Sequence, residues 1–351
     1  MKTLRILSID GGGLRGVVPV TILTELQNRI PKKKNNHKKE IWECFDLIAG
    51  TSTGGLIASA ITLKDEKSID PRAKYSLNEI LNIYINRGKE IFPEHNWFAN
   101  RWHDLKDIWR PIFSEEGIAK VFRDTVGESR ISDCLTNILI STYDLNNNIP
   151  LFFKSIDHKY DSNLDAQLYD ICRATSAGPT YLPTYRFNYP KNPKEELPHR
   201  NCIDGGVFVN NPSMAALAEV LKNTKDYDAT FQTNETPDLK NIFVLSIGTG
   251  TYSNSIKDKK SAYKGELFWA ENISEIMMRG VNKTTHYEMT EIMKEDNYLR
   301  LTINIDKEEH SEMSDSSQGT TDYLIEATQT QVLNNIQLMN KLDNFIIKSG
   351  L

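Results

Sequence analysis

The chain has 351 residues, 39% of them hydrophobic and 25% charged, with a formal net charge of −5. Such a composition fits a soluble globular protein built as one large α/β domain or two smaller ones. The acidic balance argues against nucleic acid as the main partner, while leaving room for a local basic face toward anionic lipid.

Residues 4–9 read as a short buried strand rather than the long apolar region of a signal peptide, and they end at Asp10 and the cluster Gly11-Gly12-Gly13. Val18, Ile22, Leu23, Leu26 and Ile30 recur at helical spacing, which predicts a helix over 17–30. A basic loop at 32–39 leads to the apolar run 45–49, a second strand, and then to helix-compatible residues 55–63. Residues 78–126 read as mainly helical and rich in aromatics. Strands at 137–143 and 151–155 flank the turn Asn146-Asn147-Asn148, and a helix over 164–177 stops at Gly178-Pro179. After a Pro-rich loop at 190–198, Asn201-Cys202-Ile203 leads to Asp204-Gly205-Gly206, and a helix over 212–221 begins on Pro212. A strand at 242–247 closes on Gly248-Thr249-Gly250, and the tail reads as a helix over 266–294, a strand over 298–305 and a helix over 321–347.

This alternation predicts a three-layer α/β/α fold, a mostly parallel sheet with helices on both faces. With no repeat and no clear linker, residues 1–351 are expected to form one domain, a core over about 4–215 completed by elements over about 240–349. Cys44, Cys134, Cys172 and Cys202 are scattered, with no C-x-x-C and no histidine pair at ligand spacing, so reduced thiols and no metal site are expected. No apolar run of about 18 residues occurs, so no transmembrane helix is expected. The chain is therefore placed in the cytoplasm or another soluble compartment with peripheral membrane contact, and export without a cleavable signal stays open.

Gly50-Thr51-Ser52-Thr53-Gly54 is a Gly-x-Ser-x-Gly pattern at the end of the second strand. A serine hydroxyl is a poor nucleophile unless held out on a strained strand-to-helix turn, which small flanking residues permit. Asp10 to Gly16 joins the first strand to the first helix. Consecutive glycines there can aim N–H groups at one point, where the helix dipole also favours a phosphate or a developing oxyanion. Residues 11–16 also satisfy G-x-G-x-x-G. The acidic ribose partner expected about 20 residues on would fall in helix or lysine-rich loop, and no Lys-Ser or Lys-Thr follows Gly16. A nucleotide- or phosphate-binding module is thus the alternative, and the serine turn downstream favours the oxyanion.

A serine nucleophile needs a proton acceptor. His286 lies in a charged helical stretch and His310 in the polar run 308–318, and neither occupies a Gly-rich strand-end loop of the kind an α/β-hydrolase triad uses. Asp204 is the better acceptor, since it follows a short apolar strand and precedes two glycines that allow close approach. A solvated aspartate with a pKa near 3.9 is a feeble base, and partial burial would raise it. Taken alone, Asp-Gly-Gly reads as a surface turn.

Together these residues resemble the patatin-like phospholipase family. Asp10 to Gly16 is similar to its Gly-rich oxyanion motif, Gly50 to Gly54 to its serine motif, and Asp204-Gly205-Gly206 to its Asp-Gly-Gly/Ala motif. The stretches 170–183, Asn210-Asn211-Pro212, 246–250 and 297–301, with Glu312-Met313, look similar to plant patatins. The resemblance implies a modified α/β-hydrolase fold with a Ser–Asp dyad in place of a triad. It assigns Ser52 as nucleophile, Asp204 as general base and the Gly12 and Gly13 amides as oxyanion donors, with no cofactor. Gly11 is assigned shape more than hydrogen bonding, and Gly16, Gly50, Gly54, Gly205 and Gly206 support the motifs. Arg15 has two readings, a stabiliser of the loop or oxyanion and an exposed first-turn cation.

The implied activity is a lipid acyl hydrolase of phospholipase A or lysophospholipase type, acting on glycerophospholipids, lysophospholipids or galactolipids through an acyl-enzyme. The stretch 91–113 carries Phe92, Trp97, Phe98, Trp102, Trp109 and Phe113 among Arg101, Lys106 and Arg110, a pattern that suits either a lipid interface or ordinary helix packing. A storage or interaction protein with residual esterase activity is a further alternative, and an activating partner or small signal stays open.

Overall fold

The computed structural model describes residues 3–33, 38–93, 111–189, 199–227, 237–252 and 266–351, without the side chains of 266–272 and 274. Its main sheet follows the order β5-β6-β3-β2-β1-β7-β9, with β4 also paired to β3. The strands are β1 (Leu4–Ile9), β2 (Leu47–Thr51), β3 (Asn137–Asp144), β4 (Ile149–Lys154), β5 (Tyr185–Phe187), β6 (Arg200–Asp204), β7 (Ile242–Ile247) and β9 (Tyr298–Leu301). The pairs β1–β2, β1–β7, β2–β3 and β7–β9 are parallel, and β3–β4, β3–β6 and β5–β6 are antiparallel. The sheet is thus mixed and mostly parallel, as the alternating pattern predicts. β8 (Thr251–Tyr252) and β10 (Asn304–Ile305) form a separate small ladder that the sequence pattern does not signal.

Helices cover both faces, giving three layers. On one side Leu7 and Ile9 join a core with Val18, Ile22 and Leu26 of α1 (Val17–Arg29), Ile57 and Ile61 of α2 (Thr53–Thr62), and residues of α3 (Leu77–Ile91), α4 (Glu115–Val126) and α5 (Leu168–Thr175). On the other side Leu4 and Ile6 join Ala216, Leu217 and Val220 of α7 (Ser213–Lys222), and Met289 of α9 (Glu266–Ile292). The period-2 alternation along β1 is what sends neighbouring side chains to opposite cores. α6 (Gly206–Val209) and α8 (Thr224–Tyr227) are single-turn connectors.

The predicted closing helix over 321–347 is instead two, α10 (Gln318–Thr328) and α11 (Ile336–Ser349). A π-helical segment at Gln329–Leu333 separates them, and the Asn335 side chain caps the second by accepting from the amides of Gln337 and Leu338. The predicted strand over 298–305 likewise divides into β9 and β10. In the aromatic stretch, Phe92 and Phe113 are buried and pack edge to face at 5.0 Å. Trp97, Phe98, Arg101, Trp102, Lys106, Trp109 and Arg110 lie outside the described residues, as does the loop 190–198. Among the described residues no helix is long and apolar enough to cross a membrane.

One buried ion pair ties the end of β1 to β9. Arg300 meets both oxygens of Asp10, at 2.5 Å and 3.2 Å, and also donates to the Ser246 hydroxyl at 2.6 Å. Removing one partner of such a pair strands the other charge away from water. Arg300→Met is expected to lose about 3–5 kcal/mol of stability in urea unfolding, and a further Asp10→Asn change should recover part of it.

Candidate active site

β2 ends at Thr51, and Ser52 takes up φ 53° and ψ −124° before α2 begins. A non-glycine residue there is strained, and the surroundings hold it in place. Its amide donates to Thr175 Oγ1 at 2.8 Å, and the Thr175 hydroxyl donates to the Ser141 carbonyl on β3 at 2.7 Å. The turn also presses close to β1: a Cβ at Gly54 would stand 2.1 Å from the Ile9 carbonyl oxygen. Only glycine fits there, which is the physical content of the motif's last position.

Asp204 reaches Ser52 through the sheet rather than through local sequence. β6 runs antiparallel to β3 and ends with Asp204 opposite Thr142, whose neighbour Ser141 is opposite Thr51 in the parallel β2–β3 pair. The Thr142 hydroxyl donates to the Ile203 carbonyl at 2.8 Å, and the Asp204 amide donates to the Ala177 carbonyl at 2.9 Å. The Asp204 carboxylate accepts from the Gly206 amide at 2.7 Å, and the Ser52 hydroxyl lies near enough to lower its pKa. Burial pushes the Asp204 carboxyl up to about 6, and the nearby Ser52 hydroxyl and the Gly206 amide pull only partly against it.

The Gly-rich loop lies against the same serine. A Cβ at Gly11 would sit 3.2 Å from Ser52 Cβ and 2.3 Å from Asn210 Oδ1. Both polar groups of Gly11 are committed: its amide donates to the Asn210 carbonyl at 3.1 Å, and its carbonyl accepts from Thr249 Oγ1 at 2.6 Å. The amides of Gly12 and Gly13 have no acceptor among the described residues. Gly13 has φ +58°, and a Cβ there would meet the Met313 carbonyl oxygen at 2.4 Å. That same carbonyl accepts from the Leu14 amide at 2.9 Å, so the tail of the chain pins the loop.

Arg15 is not the exposed cation that one sequence reading gave it. It is 9% exposed, and burial lowers its pKa, with Glu275 pulling the other way. Gly50 packs against backbone and Gly16 against side chains: a Cβ at Gly50 would stand 2.3 Å from the Gly54 backbone, and one at Gly16 would stand 2.5 Å from Thr53 Oγ1. Gly205 packs on Ser141 in the same way. Thr175, Asn210, Thr249 and Met313 fall in stretches the sequence flags by likeness alone, without a role for any of them.

The two C-terminal histidines are engaged elsewhere. His286 Nδ1 faces the Tyr298 hydroxyl at 3.1 Å, and burial together with Arg300 lowers its pKa. His310 stacks on Tyr323 at 4.4 Å and pairs with Thr320 Oγ1 at 2.7 Å. Cys44, Cys134, Cys172 and Cys202 are free thiols, each pushed up to about 12 by burial, and so poor nucleophiles at neutral pH. Among the described residues no group of three or more His, Cys, Asp or Glu side chains converges as a metal would require.

The profile of the family described as patatin-like phospholipase matches residues 7–217. Patatin group J-1 of Solanum tuberosum is 30% identical over 94% of this chain and 84% of its own length. Patatin-2-Kuras 1 of the same species is 29% identical over 94% and 86%. The structure of VipD from Legionella pneumophila aligns at a TM-score of 0.40 and 11% identity, covering 98% of this chain and 67% of that one. With a serine turn, a paired carboxylate and a Gly-rich loop all falling within the matched residues, the chain belongs to the patatin-like phospholipase family, whose members are lipid acyl hydrolases.

Proposed function

We propose that the protein hydrolyses fatty-acyl esters of glycerolipids by a Ser52–Asp204 dyad, as a phospholipase A or lysophospholipase. The observation that carries this reading is Ser52, on a turn with a strained φ of 53°, set beside a buried carboxylate that burial pushes up to about 6. A carboxylate with that pKa is mostly ionised at neutral pH yet far more basic than a solvated aspartate, which suits it to accept the serine proton.

In the proposed cycle Ser52 Oγ attacks the acyl carbonyl carbon while its proton passes to Asp204. The amides of Gly12 and Gly13 donate to the tetrahedral oxyanion, each worth about 2.7–4 kcal/mol by analogy with other serine hydrolases. The intermediate collapses, the C–O bond to the alcohol breaks, and the leaving oxygen takes the proton from Asp204. Water then gives its proton to Asp204 and attacks the acyl-enzyme. Collapse releases the fatty acid and returns the proton to Ser52.

Reaction with a fluorophosphonate, followed by mass mapping of the adduct, is expected to label Ser52; labelling elsewhere with Ser52 unmodified overturns the assignment. His286→Ala and His310→Ala are each expected to keep kcat/KM within about threefold of wild type, since no general-base contribution of 10²–10⁴ is lost. A larger fall in a folded variant would restore the histidine triad.

A further inference from the structure

A backbone amide stabilises an oxyanion only where its peptide plane is already held in place. The Gly11–Gly12 peptide is trans, so its Gly11 carbonyl and its Gly12 N–H point in opposite directions. Whatever holds the carbonyl therefore aims the amide. With no side chain on either flank, this peptide can turn over at little steric cost, so the aim has to come from a contact outside it.

Thr249 supplies that contact. Its hydroxyl donates to the Gly11 carbonyl at 2.6 Å, across 238 positions of sequence, while Asn210 Nδ2 reaches the same oxygen only at 3.4 Å. The hydroxyl also lies against Gly12 itself, since a Cβ there would stand 2.2 Å from Thr249 Oγ1. β7 carries the threonine to this point. Ile247 stands opposite Ile9 in the parallel β1–β7 pair, and the Asp10 amide donates to the Ile247 carbonyl at 3.0 Å. Just beyond, a Cβ at Gly248 would stand 2.5 Å from Thr302 Oγ1, and Gly250 takes φ +98°. Between these two glycines Thr249 is 3% exposed, withdrawn from water that would compete for its hydroxyl.

On the opposite edge of the peptide, the Gly12 amide has no acceptor among the described residues. We propose that Thr249 is a positioning residue of the oxyanion hole: its hydroxyl holds the Gly11 carbonyl and so keeps the Gly12 amide aimed at the oxyanion formed at Ser52. Without the hydroxyl the peptide is free to rotate, and turned over it would offer a carbonyl oxygen where negative charge develops. The role rests on the Ser52-based hydrolysis proposed above, and it acts on the transition state rather than on substrate binding.

Three variants of the full chain separate this grip from ordinary packing. Thr249→Val keeps the size and loses the hydroxyl, and kcat for a fatty-acyl ester is expected to fall by about 10- to 10³-fold with KM nearly unchanged. Thr249→Ala adds no bulk, should fall likewise, and serves if Thr249→Val does not fold. Thr249→Ser keeps the hydroxyl, loses the methyl group, and should stay within about threefold of wild type. Packing alone predicts the reverse order, because only Thr249→Ser and Thr249→Ala leave a cavity. A fatty-acyl trifluoromethyl ketone gives the second readout. Ser52 Oγ adds to its carbonyl carbon, the serine proton passes to Asp204, and the ketone oxygen becomes an oxyanion with no leaving group to expel. Its inhibition constant is expected to rise in Thr249→Val by the factor that kcat/KM loses, and to stay near the wild-type value in Thr249→Ser. Wild-type kcat in Thr249→Val or Thr249→Ala, a Thr249→Ser protein as damaged as Thr249→Val, or a change confined to KM overturns the grip alone. A wild type that cleaves no ester and leaves Ser52 unlabelled by fluorophosphonate overturns the hydrolase reading, and the grip with it.

Discussion

Replacing Ser52 with alanine is expected to lower kcat for ester hydrolysis by roughly 10⁴- to 10⁶-fold, the loss seen when a serine hydrolase is deprived of its nucleophile. What remains would come from the Gly12 and Gly13 amides and from substrate binding, which alone give some catalysis over water. The fold should survive. The contact that holds the turn, Ser52 N–H to Thr175 Oγ1, is made by the backbone and is kept in alanine. Alanine also tolerates the positive φ no worse than serine, so the stability change should be about 1 kcal/mol, the value of one hydroxyl hydrogen bond. Circular dichroism and urea unfolding check the fold, and a discontinuous phospholipid assay checks turnover. A folded Ser52→Ala protein that still cleaves ester at the wild-type rate would remove the serine from the mechanism.

Much of this site could be read from residue order because its parts obey local rules. The Gly-x-Ser-x-Gly turn needs small residues where the chain doubles back, and the 2.1 Å approach of a Gly54 Cβ to Ile9 is that need expressed in space. β1 showed itself as a short apolar run and α1 through its period of 3.6. The partners that fix the site were harder to see, because nothing local marks them. Thr175 supports the serine from the end of α5, 123 positions away. Arg300 reaches Asp10 across 290 positions. β5 is three residues long, too short for an alternation to register. The break at 329–333 fell inside a continuous helical pattern, where a cap at Asn335 outweighs propensity. The burial of Arg15 was equally hidden, since a cation in a first turn looks solvated, and the groups that act on it, Glu275 and Glu312, come from far along the chain.

Asp204→Asn should separate a base from a merely structural carboxylate by moving activity and stability in opposite directions. Asparagine keeps a side-chain oxygen for the Gly206 amide but cannot accept the serine proton, and a loss in kcat of about 10⁴-fold is expected, as for other residues that work through the nucleophile. The wild-type kcat/KM should rise with pH along a single-proton limb centred near 6, where burial places Asp204, and the residual rate of the variant should lack that limb. Stability carries the opposite sign. The carboxyl titrates near 6 folded and near 3.8 unfolded, so the native state binds more protons between those values. Its contribution is therefore greatest below about pH 4 and is lost as pH rises through 6, leaving an ionised carboxylate that costs the native state energy at neutral pH. Asparagine removes that cost, and a gain on the order of 1–3 kcal/mol is expected at pH 8 relative to the difference at pH 4. Urea unfolding at the two pH values reads it directly. A variant that loses stability at pH 8 as well as activity, beside a wild-type profile with no limb near 6, would mean that Asp204 only holds the turn after β6 and that another group takes the proton.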